Sequence, residues 1–453
     1  MKSPLYSVFS RRFRKGLLGS VLVLLAPAVL AQLKCNEDDS PAAQSRDAAL
    51  GFASTDPRSQ LVDLVSQAME RSRTIGVATL LAQAARDDWD EARAARLPLV
   101  QAQLSTSAAG QQARGLTQNQ GQAQASVNLS MPLWDAGRVT QTAAWRAQLA
   151  EAARQGLISG EQQLGAQVVS FALDRGRLLL QAQVYRQYTK RMACLVDALE
   201  AVVKADKGRS SELTQAQKSQ MTAELSMEQT ISGLRSVELR LKRLVGDPLP
   251  PSASYAAIMN QLPELQMLQQ AALQSPEMMQ LEASSRAQER YAAVVATQGK
   301  PQVSLGMGAN ANGASTGSRA GEWSAGVTVT VPIYAPGLDA SKLAAQRRAD
   351  ASKLQLQETL DVRNYQLQEL HLNAGAALDR SRRIVEILRN SERLRSATMV
   401  QWQQMGRRSL FDVMGAESDY YSLRVAHIST LFEAQQAILN MWSLGPGVIA
   451  ALR

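Results

Sequence analysis

Two stretches of sequence decide the fold of this chain: SVNLSMPLWDAG at residues 126–137 and GVTVTVPIYAPG at residues 326–337. They align without a gap at a separation of 200 residues, so Gly137 lies opposite Gly337. Farther along, LVG at 244–246 ends the first half much as SLG ends the second, one residue out of step. Self-similarity at a fixed period indicates an internal duplication, which predicts two copies of one structural unit.

The duplication also predicts where the structural units begin and end. A Pro-rich stretch, GDPLPPSASYAAIMNQLP, interrupts the periodic pattern between the copies and is interpreted as a linker. We therefore expect a polar N-terminal segment at 32–57, a first repeat at 58–246, the linker at 247–263, a second repeat at 264–445 and a C-terminal end at 446–453.

Each copy contains two short runs in which apolar and polar residues alternate, at 100–105 and 126–131 and again at 303–308 and 323–331. Alternation at a period of two predicts a strand with one apolar face. These runs contain no charged residue, which is typical of transmembrane barrel strands, although a half-buried soluble hairpin gives a similar pattern. Segments rich in Gly, Asn, Ser and Gln predict the hairpin loops at 111–121 and 311–321.

Three aromatic residues on or beside these strands are candidates for the membrane interface: Trp134, Trp323 and Tyr334. Aromatic rings collect at that interface, but packing in a core explains Trp134 or Tyr334 about as well.

Four strands cannot close a barrel. An unpaired strand edge cannot face lipid, because each unsatisfied backbone group costs several kcal/mol there. Bacterial barrels use even numbers of strands from eight upwards, so assemblies of two, three or four chains all satisfy this condition.

The rest of each copy is patterned as long helix. Two long stretches without Pro follow the duplicated segments and end near Ala205 and Met405; at 1.5 Å per residue, each predicts a helix of about 100 Å. Apolar residues recur by fours and threes between 164 and 203, as in a coiled-coil seam. Breaks at 207–211 and 406–409 precede a second helix, with Gly stopping one helix and Ser capping the next. The predicted fold class is mainly α with a small transmembrane β part.

The first 31 residues predict a secretory signal peptide, with the basic stretch RRFRK, the apolar run LLGSVLVLL and small residues up to Ala31. This leader holds five basic residues and no acidic one, so more than half of the formal charge of +9 belongs to it. We therefore expect no nucleic-acid partner. Cys35 follows Lys34, whereas a bacterial lipid-acceptor cysteine follows a small residue, so lipidation is not favoured.

The composition argues against an enzyme. The chain has two His and two Cys, too few for the ligand clusters of a structural zinc site or for His-based nucleophilic catalysis. We predict no catalytic residue, no metal and no cofactor. Because Cys35 lies in a polar tail and Cys194 in a helical pattern, two unpaired thiols are expected, although an oxidising compartment permits a bridge between them.

Taken together, these residues resemble the TolC family of outer membrane channel proteins over nearly the whole mature chain. The resemblance rests on the duplication, on the two segments quoted first and on GRRSLFDVMGAESDYY at 406–421. It implies a homotrimer in the outer membrane of a Gram-negative bacterium, whose three chains build one 12-stranded β-barrel. A long periplasmic α-helical barrel continues this β-barrel. The resemblance further implies export, with an inner-membrane transporter and a periplasmic adaptor (membrane fusion) protein docked at the helical tips.

In this family, acidic side chains line a constriction near the tips. The position that matches the first acid of the tip motif is Asp412, and its duplicate is Glu212. Gly415 replaces the second acid, for which Glu417 is a substitute. Ser409 and Asp412 also form an S-x-x-D pattern that supports a helix start, so gate and cap both stay open for Asp412.

The resemblance places adaptor contacts at the tips, with the candidates Gly208, Arg209, Ser211, Gly406, Arg407, Arg408 and Ser409. An exposed basic turn is more often simply solvated.

Three functions remain in competition. Type I protein secretion with an ABC transporter is preferred, because many efflux members carry an acceptor cysteine that this chain lacks in the expected context. The alternatives are small-molecule or drug efflux with a proton-driven pump, and a periplasmic coiled-coil scaffold.

Overall fold

The computed structural model describes residues 52–53, 55–113, 116–314, 319–405 and 408–452. The predicted signal peptide at 1–31, Cys35 and most of the polar N-terminal segment lie outside these residues.

The described part of the first half contains a short strand, two helices, two long strands and two further helices. Their bounds are β1 Phe52–Ala53, α1 Pro57–Arg71, α2 Arg73–Ala94, β2 Leu99–Ala113, β3 Leu116–Trp134, α3 Arg138–Ala205 and α4 Ser210–Val245.

The second half repeats this order. Its elements are β4 Ser252–Ala253, α5 Leu265–Leu273, α6 Pro276–Thr297, β5 Gln302–Ala314, β6 Arg319–Thr330, α7 Leu338–Met405, α8 Leu410–Leu444 and α9 Val448–Leu452. The two long helices, α3 and α7, have 68 residues each. Their ends at Ala205 and Met405 are those that the sequence predicts.

The four long strands form one antiparallel sheet in the order β2-β3-β5-β6. The four predicted strands are therefore confirmed, but β2, β3, β5 and β6 run farther than predicted, into the segments expected to be hairpin loops. Direct register partners such as Ala102, Val127 and Ala309 lie on one face, and Gln103, Ser126 and Asn310 lie on the other. The sheet thus has an apolar face and a polar face, and both are largely exposed in the protomer. The short strands β1 and β4 pair separately, in parallel.

The duplicated segments turn the chain from strand to helix. Gly137 and Gly337 have φ values of 85° and 95°, a conformation that Gly adopts without steric cost. In the first copy the carboxylate of Asp135 accepts hydrogen bonds from the amides of Gly137 at 2.9 Å and Val139 at 2.6 Å. These bonds satisfy amide groups that a helix start otherwise leaves unpaired.

The main hydrophobic core lies around the middle of α3, between α1, α8 and the linker. Its largest fully buried side chains include Leu61, Leu173, Tyr255 and Phe432. On α3 the buried positions include Val169, Ala172 and Leu173 in addition to members of the predicted heptad stripe. The buried positions of α3 are more numerous than those of the predicted stripe, because α3 packs against several helices at once, namely α2, α4, α6 and α8.

Cys194 in α3 is disulfide-bonded, so the prediction that it carries an unpaired thiol is wrong. Its position in a helical pattern could not show a bond that depends on tertiary structure. The other cysteine, Cys35, lies outside the described residues.

Two buried glutamines tie the linker to the helices. The side chain of Gln60 in α1 donates to the carbonyl of Pro251 at 2.8 Å and accepts from the amide of Ala253 at 2.8 Å. Gln435 in α8 donates to the carbonyls of Tyr255 at 2.9 Å and Ile258 at 2.7 Å. These bonds satisfy the irregular linker backbone where it is buried.

No helix among the described residues combines the length and the apolar character that crossing a membrane requires.

Gly176 of α3 allows the ring of Tyr255 to approach, because a Cβ at this position would lie 2.9 Å from the ring carbon Cδ2. We expect Gly176→Ala to lower the free energy of unfolding by about 1 kcal/mol, because the cost of overpacking, ~1–3 kcal/mol, exceeds the gain in helix propensity. The matched change Gly233→Ala in α4 meets only ordinary contacts, 3.7 Å from Leu178, and should stabilise. Urea midpoints from circular dichroism measure both. A Gly176→Ala variant as stable as Gly233→Ala would contradict this account of the core.

Candidate functional site

The first tip of the molecule is the turn between α3 and α4. Helix α3 ends at Ala205, and the carboxylate of Asp206 accepts a hydrogen bond from the amide of Gly208 at 3.0 Å in a one-turn 3-10 helix. The predicted Gly stop and Ser cap are wrong at this tip. Asp206 begins the turn, and Ser211 lies exposed inside α4.

The acid at this tip, Glu212, lies in the first turn of α4. Its side chain is only 17% exposed, and its carboxylate lies 3.4 Å from the guanidinium of Arg209. Arg209, which is predicted as an adaptor contact, therefore forms an ion pair with Glu212.

The second tip is the turn between α7 and α8, of which residues 406–407 lie outside the described part, and with them the candidates Gly406 and Arg407. Ser409 caps α8, as predicted, and its hydroxyl accepts from the amide of Phe411 at 3.2 Å. The carboxylate of Asp412 is half exposed and lies 3.7 Å from the guanidinium of Arg408. Asp412 lies in the first turn of α8, where a negative charge is favourable.

Glu417, the third candidate acid, lies inside the protein. Its side chain has no exposed surface, and its two carboxylate oxygens meet Arg191 at 3.1 Å and Arg395 at 3.3 Å. Both guanidinium groups are themselves almost fully buried. The three residues belong to α8, α3 and α7, so one ion-paired triad joins three helices about two turns above the second tip.

An aromatic shell surrounds this triad. The rings of Tyr188 and Tyr421 lie 4.9 Å apart between centroids. The guanidinium of Arg395 lies 4.5 Å from the centre of the Tyr420 ring, within the range of a cation–π contact. Arg424 lies 5.6 Å from the rings of both Tyr420 and Tyr421. We call these residues together with Glu392 the arginine–tyrosine cluster: Tyr188, Arg191, Glu392, Arg395, Glu417, Tyr420, Tyr421 and Arg424.

Burial and charge shift the ionisation of the cluster. Burial raises the pKa of the Tyr188 and Tyr420 hydroxyls. Burial also acts to raise the pKa of Glu392, but the hydrogen bond and charge of Arg395 outweigh it and hold that pKa below its usual value of 4.5. Glu392 therefore stays ionised, and the Tyr188 and Tyr420 hydroxyls stay protonated, near neutral pH.

Glu417 is the one member of this cluster that the sequence analysis predicts as a site residue. Glu417 was a candidate because it follows the tip motif, whereas Arg191 and Arg395 lie in the long helices without a motif around them. Arg191 is 226 residues from Glu417 in sequence, and only the packing of α3 on α8 brings them together.

This chain is similar to known proteins both in sequence and in structure. Residues 64–247 match the family model described as outer membrane efflux protein. The chain is similar to the solved structure of CusC, with 19% identity, a TM-score of 0.77 and coverage of 86% of this chain and 92% of that chain. The CmeC outer membrane channel of Campylobacter jejuni gives 16% identity, a TM-score of 0.76 and coverage of 86% of each chain. The open state of the MtrE outer membrane channel of Neisseria gonorrhoeae gives 16% identity, a TM-score of 0.67 and coverage of 87% and 90%. No curated protein sequence matches the chain.

The resemblance to TolC-family channels is confirmed. The chain has the TolC-like fold, mainly helical with four long strands. Within this fold, the arginine–tyrosine cluster is an internal contact of the protomer, whereas Asp412 is half exposed at the tip.

Replacing Glu417 by Gln should destabilise the protein by about 3–5 kcal/mol, because two buried guanidinium groups lose their carboxylate. The control is Glu433→Gln on the same helix, which breaks an exposed pair with Arg380 at 3.2 Å and should cost at most about 1 kcal/mol. Urea midpoints followed by tyrosine and tryptophan fluorescence distinguish the two. Equal midpoints for both variants would contradict a stabilising role for the triad.

Acid should weaken the contact of Glu392 with Arg395. Because the folded-state pKa of Glu392 is lowered, its contribution is present above the unfolded pKa and is lost as the pH falls through the folded pKa. Glu392→Gln should therefore be slightly less stable than the parent at pH ~7, by less than about 1 kcal/mol for this partly exposed pair, and the difference should be smaller at pH ~3. Urea midpoints at both pH values test this. A difference that grows on acidification would reverse the assigned sign.

Proposed function

We propose that three copies of this chain form an outer membrane exit duct that passively conducts cargo out of the cell. The observation that carries this proposal is the four-stranded sheet, which has two open edges, β2 and β6, and one exposed apolar face. Leu104 is 79% exposed and Trp323 is 82% exposed on that face. Contiguous apolar surface of this kind marks a contact with lipid or protein.

Closure of the sheet into a barrel would satisfy both edges and place the apolar face in lipid. Three copies supply twelve strands, an even number within the range of bacterial barrels. Trp134 and Tyr334, both exposed, lie at the helix end of the sheet, and Trp323 lies near the opposite end. That distribution suits two aromatic belts at the two interfaces of an outer membrane.

The long helices support the same assembly. On α7 the residues that pack against the protomer, such as Leu367 and Ala374, are buried. A second set of apolar residues is exposed, consisting of Leu354, Tyr365, Leu372 and Leu394. These four are separated by 11, 7 and 22 residues, each close to a whole number of helical turns. One side of α7 therefore carries a second apolar stripe, which a neighbouring copy would cover in a helical barrel.

Asp412 is proposed as the gate acid at the periplasmic end, since it is exposed at the tip and threefold symmetry would bring three copies together. Glu212 is a weaker candidate because it is largely buried against Arg209. Glu417 is proposed to hold α3 against α7 and α8 rather than to line the passage, because it is fully buried. The exposed parts of the tips, including Arg209, Ser211, Arg408 and Ser409, are the proposed contacts of a periplasmic adaptor.

The cargo is proposed to be small molecules, handed over by an adaptor and an inner-membrane pump. The description of the matching family, outer membrane efflux protein, supports this choice. The preference for type I secretion rests only on the residue that precedes Cys35, and it stays the second candidate.

Replacing Asp412 by Asn should change single-channel conductance or abolish block by polyvalent cations, because the proposed ring of carboxylates loses its charge. Asp339→Asn is the control, since Asp339 is a 98% exposed acid at the opposite end of α7, beside the sheet. Recordings in planar lipid bilayers compare both variants with the parent. Unaltered single-channel behaviour of Asp412→Asn would contradict the proposed gate and leave this residue only a role at the start of α8.

Cross-linking in living cells followed by purification through a C-terminal tag tests the partners and the cargo class. Recovery of a proton-driven pump with its adaptor supports efflux, and recovery of an ABC transporter assigns protein secretion. Extraction from membranes without detergent would contradict the channel and favour a periplasmic scaffold.

A further inference from the structure

The polar face of the sheet is almost free of charge. The four long strands contain only two charged residues, Arg319 and Glu322, both in β6. The polar face is instead rich in amides: Gln101, Gln103, Gln122, Gln124, Asn128, Gln302, Asn310 and Asn312. A single ionised group therefore dominates the field on this face.

The register assigns the two charges to opposite faces. Glu322 is the direct partner of Asn310, which pairs with Ser126, which in turn pairs with Gln103. This row belongs to the polar face. Arg319 is three residues away in the same strand and shares the apolar face with Trp323, because side chains alternate along a strand.

Glu322 is exposed, and no hydrogen-bond or ion-pair partner is present for it among the described residues. It lies three residues from the start of β6 and eight from its end at Thr330. Since Thr330 is near the turn into α7, Glu322 lies toward the end of the second hairpin that is away from the helices. The strands β2 and β3 of the first hairpin continue ten residues beyond its row. In the proposed barrel the end away from the helices is the outer mouth.

We propose that Glu322 is a selectivity-determining residue, whose three copies form a ring of carboxylates that favours cations over anions at the outer mouth. This inference rests on the proposed trimeric channel with the polar face inward. Rings of acidic side chains confer cation selectivity in other channels, and walls of low dielectric constant focus the field of few charges.

The radius of the barrel determines at which salt concentration the ring of carboxylates is screened. Twelve strands spaced by ~4.8 Å and tilted by ~40° enclose a radius of about 12 Å. The Debye length is ~10 Å at 0.1 M salt and ~3 Å at 1 M. The ring therefore acts on the whole cross-section of the mouth at moderate salt and is screened at high salt.

The test is the reversal potential of the trimer in planar bilayers under a KCl gradient. Glu322→Gln should lower the ratio of cation to anion permeability about threefold near 0.1 M KCl and leave it unchanged near 1 M. Arg319→Gln is the matched control, because it removes a charge from the same strand on the lipid face, and it should leave the ratio unchanged at both concentrations. Equal effects of the two variants would overturn the proposal, and so would no effect of Glu322→Gln together with an unchanged ratio in the labelling measurement described next. A parent protein that forms no channel would contradict the proposed function itself.

A local measurement keeps the inference testable if the periplasmic constriction dominates the current. Ser126→Cys places a thiol on the Glu322 row, two strands away. Cationic and anionic thiol reagents are added from outside, and the rate of labelling of the parent is subtracted for each. The measured quantity is the ratio of the cationic rate to the anionic rate. Adding Glu322→Gln should reduce this ratio about fourfold at ~10 mM salt, from the Coulomb interaction over ~10 Å in water. An unchanged ratio in a thiol that reacts with both reagents would overturn the proposal.

Discussion

Unpaired backbone at the two edges of the sheet is the constraint on which the rest of the proposed assembly depends. The edge strands β2 and β6 present hydrogen-bonding groups that the described part of the protomer does not satisfy, and the adjoining apolar face favours lipid over water. In a bilayer the edges must find partners in other copies of the chain. Closure then places the amide-rich face around a passage. The helices that leave the same end of the sheet at Gly137 and Gly337 are drawn into a ring, and the exposed apolar stripe of α7 gains a neighbour.

Within the protomer, the long helices are held together by two different kinds of contact. Around the middle of α3 the core is apolar and closely packed, with Tyr255 against Gly176 and the linker tied down by Gln60 and Gln435. Nearer the tips α3, α7 and α8 are joined by the arginine–tyrosine cluster and by a second buried apolar cluster to which the same helices contribute. A buried ion pair stabilises less than an apolar core of equal volume but is costly to break singly. The tip region therefore combines charge with packing, whereas the middle depends on packing.

Much of the fold could be predicted because its signals are local. Alternation at a period of two gave the four strands, and long stretches without Pro gave the ends of α3 and α7 at Ala205 and Met405. The contacts that define the candidate site are not local. The burial of Glu417 depends on which helices pack together, and the sequence pattern of one helix carries no record of its neighbours. The role of Asp206 at the first tip was not predicted, because the Gly and the two Ser residues of this segment are by themselves a signal for a turn.

The most direct test of the account is the number of chains in the assembly. Native mass spectrometry of the protein, extracted in detergent from isolated outer membranes, measures it without any substitution. The account predicts a single species of three chains, because closure leaves no edge unpaired and the resemblance to TolC-family channels selects three among the numbers that allow closure. A monomer stable in detergent, or an assembly of two or four chains, would contradict the proposed duct.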